Sequence, residues 1–248
     1  MQNIDWAEYD NKCKQQAYKC LKYQTDSITL YKVLFKYRFG KIDVQEYNQI
    51  KNLVTGSKSN IGTDIVLVIK YIDSLRDYEG FKRQHLTHVK IHDSISKIES
   101  LGNRPQMIKH WAYNYKMYKR NKKRWIKSSK KCVKKFEKNL PVDVSYVYNF
   151  NQDNLADYEG LNLIKDRGAL RVKFFNIKNN FNLLILKPDG EYFLSGDHMS
   201  DESLKRLIKN KDWSSYKSDW NATINTYKVN GTGMFRSYSL YYHKDHCF

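Results

Sequence analysis

The chain predicts an α+β fold, with a helical N-terminal half that ends in a long basic helix and a smaller region built on an antiparallel sheet. Three observations carry this expectation. Over the first 140 residues apolar side chains recur at gaps of three and four, the helical period. After Pro141 the period becomes two, as in Val144, Tyr146 and Tyr148. Between these textures, residues 105–141 hold 13 basic side chains and one acid, Glu137. The expected division is 1–141, ending in the basic helix at about 105–139, and 142–248 with two β-hairpins.

The helices follow in chain order. Trp6, Tyr9, Cys13, Ala17 and Leu21 line one side of a helix over about 4–23. Tyr31, Leu34, Phe35 and Tyr37 mark a second over about 27–39, which stops at Gly40. Asp43, with Glu46 three residues later, matches the capping-box spacing and opens a third helix to Val54. The joint near Gly40 has helix-turn-helix spacing, but 43–54 carries only Lys51 as a positive charge, which is poor for a recognition helix. The loop 55–63 is bracketed by glycines yet lacks the G-K-[ST] ending of a P-loop. The run Ile65-Val-Leu-Val-Ile69 is apolar all round and reads as a buried helix to about Glu79, with a strand as the alternative. A fifth helix covers about 82–100. Pro105 suits the first turn of the basic helix, and Leu140-Pro141 ends it.

In the second half, Leu170, Val172 and Phe174 alternate like a strand. Residues 182–186 and 191–195 flank Pro188-Asp189-Gly190, a hairpin signal. Ser200, followed by Asp201 and Glu202, opens a helix holding Leu204, Leu207 and Ile208. Residues 224–229 and 235–242 around Asn230-Gly231 form the second expected hairpin. One internal echo links the halves: Asp73-Ser-Leu-Arg-Asp-Tyr-Glu-Gly80 and Asp153-Asn-Leu-Ala-Asp-Tyr-Glu-Gly160. Each copy reads as a helix ending in glycine.

Composition excludes several classes. With 41% hydrophobic and 15% aromatic residues, the 248-residue chain can bury a core and is not a disordered polymer. No apolar run approaches the roughly 18–20 residues of a transmembrane segment. The N-terminus lacks a positive stretch followed by an apolar one, so the expected location is cytoplasmic rather than secreted. Four cysteines at wide spacing are too few for a disulfide framework and suit a reducing compartment. The counts of 34 Lys, 10 Arg, 20 Tyr and 6 Ala are what a low-GC genome produces, pointing to a virus, plasmid or organelle.

The net charge of +18 is unevenly placed. Residues 1–104 carry +5, residues 142–248 carry +1, and 105–141 carry +12. Uniform coding bias does not produce that concentration. Helical spacing of Met107, Ile108, Trp111, Tyr115, Tyr118, Trp125, Ile126, Val133 and Phe136 leaves an apolar stripe for packing on the preceding helices, with lysines elsewhere. Opposite charges at i±4 are absent, so the lysines repel one another unless a polyanion compensates them. The expected partner is nucleic acid, DNA or RNA, gripped through its phosphates with little sequence specificity. The expected contacts are Lys116, Lys119, Arg120, Lys122, Lys123, Arg124, Lys127, Lys130, Lys131, Lys134 and Lys135, with Trp125 stacking. An anionic membrane surface and an acidic protein are the rival partners.

Two alternatives keep the same helix. One is a nuclease with a His/carboxylate site in the C-terminal region, for which His198, Asp197 and His243 are the first catalytic candidates. Mg²⁺ enters only if that nuclease is metal-dependent, and no other cofactor is expected. The other is a structural component of a virion or ribonucleoprotein. His85, His88 and His92 fall at i, i+3, i+7 on one helix face, but without a second ligand-bearing segment they are assigned no metal. No G-x-G-x-x-G, G-x-S-x-G, H-E-x-x-H or paired C-x-x-C occurs.

Overall fold

The apolar run after Ile65 is a strand, not a helix, and it lies inside a six-stranded sheet. The computed structural model describes residues 6–15, 17–24, 29–56, 62, 64–84, 114–176, 181–196, 199–225 and 247–248. In order these form α1 (Trp6–Lys14), β1 (Tyr18–Gln24), β2 (Thr29–Phe35), β3 (Tyr37–Lys41), α2 (Val44–Thr55) and β4 (Val66–Leu75). A helix is entered at 78–84, and the basic helix is α3 (Tyr115–Glu137). Then come β5 (Val142–Asn151), a 3₁₀ turn (Leu155–Tyr158), β6 (Leu163–Lys165), the short α4 (Ala169–Lys173), β7 (Leu183–Leu186), β8 (Glu191–Ser195), α5 (Asp201–Lys209) and α6 (Ser214–Asn225).

The large sheet has the order β3-β8-β7-β4-β5-β6, with β4, β5 and β6 mutually parallel and the other pairings antiparallel. A parallel β4–β5 pair requires a crossover, and residues 76–141, α3 among them, supply it. Strand side chains alternate between two cores. Val66, Val68, Val144, Tyr146, Ile185 and Phe193 meet α3, α5 and α6 through Phe136, Leu204, Leu207 and Trp213. Leu67, Ile69, Val147, Leu184 and Leu194 meet α2 and the α4 segment through Tyr47, Ile50, Val54 and Leu170. Because both faces are covered from Val66 to Ile69, β4 has no polar face to display there, which is why that run is apolar without alternation.

The expected fold class is therefore corrected: the chain is mixed α/β, with a small two-stranded sheet plus helices at the N-terminus and a six-stranded mixed sheet in the middle. The helix expected over 4–23 stops at Lys14, and the one expected over 27–39 is replaced by β2 and β3. Over seven residues, Tyr31, Leu34 and Phe35 satisfy a helical gap by chance. Cross-strand pairing with β1, from Tyr18 opposite Phe35 to Gln24 opposite Thr29, decides the outcome. The strand expected around 170–174 is the helix α4, where Leu170 and Phe174 share the buried side and Val172 is 78% exposed. The tail hairpin at 224–242 and the helix at 82–100 lie largely outside the described residues.

Local signals elsewhere hold. Asp43 Oδ1 accepts the Glu46 amide at 2.7 Å to cap α2. Ser200 Oγ accepts the Ser203 amide at 3.1 Å to cap α5. In the β7–β8 turn Gly190 adopts φ +83°, and a Cβ there would lie 2.0 Å from the Ile42 carbonyl oxygen, so the turn needs glycine on two counts.

The reading of four cysteines as too few for a disulfide framework is also corrected. Cys13 bonds Cys20 between α1 and β1, and Cys132 on α3 bonds Cys247. The second bridge spans 115 residues of sequence, so only folding shows the pairing. With the Cys247 amide on Asp201 Oδ1 at 2.8 Å and Phe248 edge-on to Phe136, it pins the described C-terminal residues to α3. Among the described residues no helix is long and apolar enough to cross a membrane.

Candidate nucleic-acid interface

The candidate interface is the outward side of α3. The helix begins at Asn114, whose side chain caps the Met117 amide at 2.9 Å. Residues 105–113, the first part of the expected basic helix, lie outside the described residues. Tyr118, Ser129, Cys132 and Phe136 are buried; Ile126, Val133 and Phe136 pack on the sheet core, while Tyr118 meets Tyr78 and Phe81 of the helix entered at 78–84.

The cations then sort by helical geometry. Lys119, Lys122, Lys123, Lys127, Lys130, Lys131 and Lys134 line, with Ile126 and Asp157, one groove of about 740 Å³. Their spacing of three and four makes a single stripe, roughly 22 Å long from Lys119 to Lys134 at 1.5 Å per residue. Lys116, Arg120 and Arg124 are also exposed, at i, i+4, i+8 outside the groove. All the expected cationic contacts thus lie on one described helix.

Two of them have carboxylate partners that the i±4 pattern did not reveal. Lys122 Nζ lies 2.5 Å from Asp153 Oδ2 and 2.6 Å from Asp157 Oδ2. Lys135 lies 2.7 Å from Asp201 Oδ2. For Lys123, Lys127, Lys130, Lys131 and Lys134 no ion pair occurs among the described residues. The self-repulsion inferred from sequence is thus relieved at two positions by carboxylates far away in the chain, and it persists along the rest of the stripe.

Beside the groove, at the carboxyl end of β4 and β5, the DYEG echo acquires a spatial meaning. Its two copies follow adjacent parallel strands, since Leu75 pairs with Asn151. Of the two glycine-ended helices expected, only the second appears, as a single 3₁₀ turn. Asp77 Oδ1 caps the Gly80 amide at 2.7 Å, so the first copy starts a helix. The second is the 3₁₀ turn followed by Gly160 at φ +79°. Their tyrosines close on Tyr118: Tyr78 lies 5.8 Å from its ring, and Tyr158 shares its carboxylate partner. The Tyr118 and Tyr158 hydroxyls donate to Asp153 Oδ2 at 3.0 and 2.6 Å. Burial, then the bonds to Asp153, push both phenols well above their ordinary value. Burial works against the Asp153 carboxylate, but Lys122, Tyr158, the Asn154 amide and Tyr118 outweigh it and hold its pKa below the usual range. Asp153 and Lys122 are therefore a fixed ion pair that seats α3 on the β5 loop.

Between α3 and β4 lies a second space of about 340 Å³. Lys70, Ile72 and Ser74 of β4 face it, opposite Tyr118, Lys122 and Trp125. The Lys70 ammonium, hydrogen-bonded to Asn182 Oδ1 at 3.1 Å, has its pKa lowered by burial to about 8. Over the window from about 8 to the ordinary 10.5, the unfolded chain holds this proton and the folded one does not, so stability rises with pH there. Lys70→Met is accordingly expected to melt above the parent at pH 7, with the gap narrowing toward pH 10. Thermal melts at pH 7, 8.5 and 10 check this, and a gap constant with pH would contradict it.

Sequence reasoning missed Lys70, Asp153 and Tyr158. Lys70 was hidden because its segment read as a helix, and the other two stood only as members of an echo. The first catalytic candidates, His198, Asp197 and His243, lie outside the described residues, as do His85, His88 and His92. Among the described residues no three His, Cys, Asp or Glu side chains gather in a metal-binding group.

The geometry defines a three-layer α/β protein with a lysine-lined groove along its crossover helix. No protein-family model, no curated protein and no solved structure matches the chain.

Proposed function

We propose that this protein binds nucleic acid through the phosphate backbone, with little preference for sequence. The observation that supports this reading is the stripe of seven lysines converging on one groove of α3, most of them without carboxylate partners among the described residues. A stripe of about 22 Å spans roughly six phosphates at 3.4 Å per phosphate along one strand of a duplex. Lysine ammonium groups neutralise phosphates as point charges, whereas base readout favours the bidentate fork of arginine. An anionic bilayer suits the reading less well, because Ile126, Val133 and Phe136 of α3 pack on the sheet core and cannot enter lipid.

Fluorescence anisotropy with labelled DNA and RNA of mixed sequence tests it. With about six contacts, log K is expected to fall against log salt with a slope near −5 on duplex and near −4 on single strand. Affinity then drops by about three orders of magnitude between 50 and 200 mM salt on duplex. Micromolar-or-tighter binding without salt dependence, or no binding at low salt, overturns the reading. Electrophoresis of the same samples after incubation, with and without chelator, separates binding from cleavage.

A further inference from the structure

Resting on that reading, we propose that the cavity between α3 and the carboxyl end of β4 receives one unpaired nucleobase of a strand held in the lysine groove, making the ligand a single-stranded nucleic acid. The two spaces adjoin: Lys122 lines both, so a strand tracking the groove passes the cavity mouth. The cavity walls are aromatic. Phe81 and Trp125 line it, each 39% exposed although most large apolar side chains of the fold are buried. Phe81 packs 5.3 Å from Tyr118, and Trp125 meets Tyr158 at 6.0 Å, so these rings are braced by neighbours rather than free to collapse inward.

The volume, about 340 Å³, falls at the lower end of small-ligand pockets. One donor reaches it from the strand: the Lys70 ammonium, held at 3.1 Å by Asn182 Oδ1. Of the other cations that line it, Lys122 is tied to Asp153 and Asp157, and Arg76 donates to Gln84 Oε1 at 2.6 Å. Aromatic walls beside the Lys70 ammonium thus suit a base, whose π face stacks and whose ring nitrogen or carbonyl accepts a hydrogen bond. A phosphate is better served by the groove, whose lysines are mostly without carboxylate partners among the described residues. Position agrees with chemistry, because open α/β sheets bind ligands beyond the carboxyl ends of their parallel strands. A duplex keeps its bases stacked and paired, so only an unpaired one can enter at low cost.

The test compares a 12-nucleotide single strand with the matched duplex, using Lys70→Met and Phe81→Ala beside the parent. The parent is expected to bind the single strand at least tenfold more tightly and to lose tryptophan fluorescence as it does so. Each variant is expected to lose about tenfold on the single strand while keeping the duplex affinity and salt slope of the parent. Because removing the lysine relieves a burial cost, a loss in Lys70→Met is not a folding defect. A parent that prefers duplex, or variants that bind single strand as the parent does, overturns the base pocket while leaving backbone binding intact. If the parent binds neither polymer, the reading of the groove fails instead. Adenosine and guanosine monophosphates then probe the cavity alone: binding lost in Lys70→Met sustains it as a nucleotide site, and no binding overturns it.

Discussion

Glutamate at Lys119, Lys123, Lys127 and Lys131 together is expected to reduce polynucleotide affinity at 0.1 M salt by at least about a hundredfold and to flatten its salt dependence. The four lysines recur every fourth residue along the groove and are exposed, and none has a carboxylate partner among the described residues. Lys122 is left in place because its ion pairs with Asp153 and Asp157 hold α3 to the β5 loop. Removing four of about six phosphate contacts lowers the magnitude of the log–log slope on duplex by about 3.6. Reversal of sign adds repulsion to the lost attraction, so the affinity falls further than neutral replacements would take it. Glutamate and lysine have similar helix propensities, and exposed substitutions of this kind shift stability by about 0.5 kcal/mol or less each. The variant should therefore melt near the parent. An unchanged salt slope in a folded variant would show that α3 is not the binding surface.

The second large effect concerns stability. Phe136→Ala is expected to cost about 4 kcal/mol, within the range for emptying a fully buried phenylalanine site. Phe136 is fully buried, meets Phe248 edge-on at 5.0 Å, and joins α3 to the core that α5 and α6 share. For a chain of this size that loss corresponds to a fall in Tm of roughly 8–16 °C. The cavity left behind cannot close easily, since the Cys132–Cys247 bridge fixes the neighbouring chain on one side and β5 backs it on the other. Equilibrium denaturation in urea measures the cost, and a value below about 1 kcal/mol would mean that α3 does not pack on the sheet as described.

These two experiments divide the helix into its two faces, and the division was largely legible in the amino-acid order. Positions 118, 126, 133 and 136 carry the apolar period, and the lysines fill the remainder. That pattern is local, because i, i+3 and i+4 neighbours on a helix meet whatever surrounds them. The caps at Asp43 and Ser200, and the Pro188-Asp189-Gly190 turn, were legible for the same reason. Each depends on a few adjacent backbone groups.

What α3 packs against was not legible. Its apolar stripe is compatible with helices or with a sheet, and the choice fell to strands drawn from both sides of Pro141. The run at 65–69 shows why: an element covered on both faces loses the alternation that distinguishes strand from buried helix. Short windows such as 29–35 satisfy either period, and only the partner strand decides. Lys70, Asp153 and Tyr158 came near one another only when β4 and β5 ran parallel and brought two copies of one tetrapeptide to the same end of the sheet. The Cys132–Cys247 pair met in the same way.

By itself, then, the sequence determined that one helix would be polycationic on one side and apolar on the other, because charge density and helical period are properties of neighbouring residues. Only the tertiary structure decided where that helix lies, which of its lysines are tied to Asp153, Asp157 and Asp201, and that an aromatic cavity opens beside it. Those are contacts between residues far apart in the chain, and no spacing rule reaches across the loops that separate them.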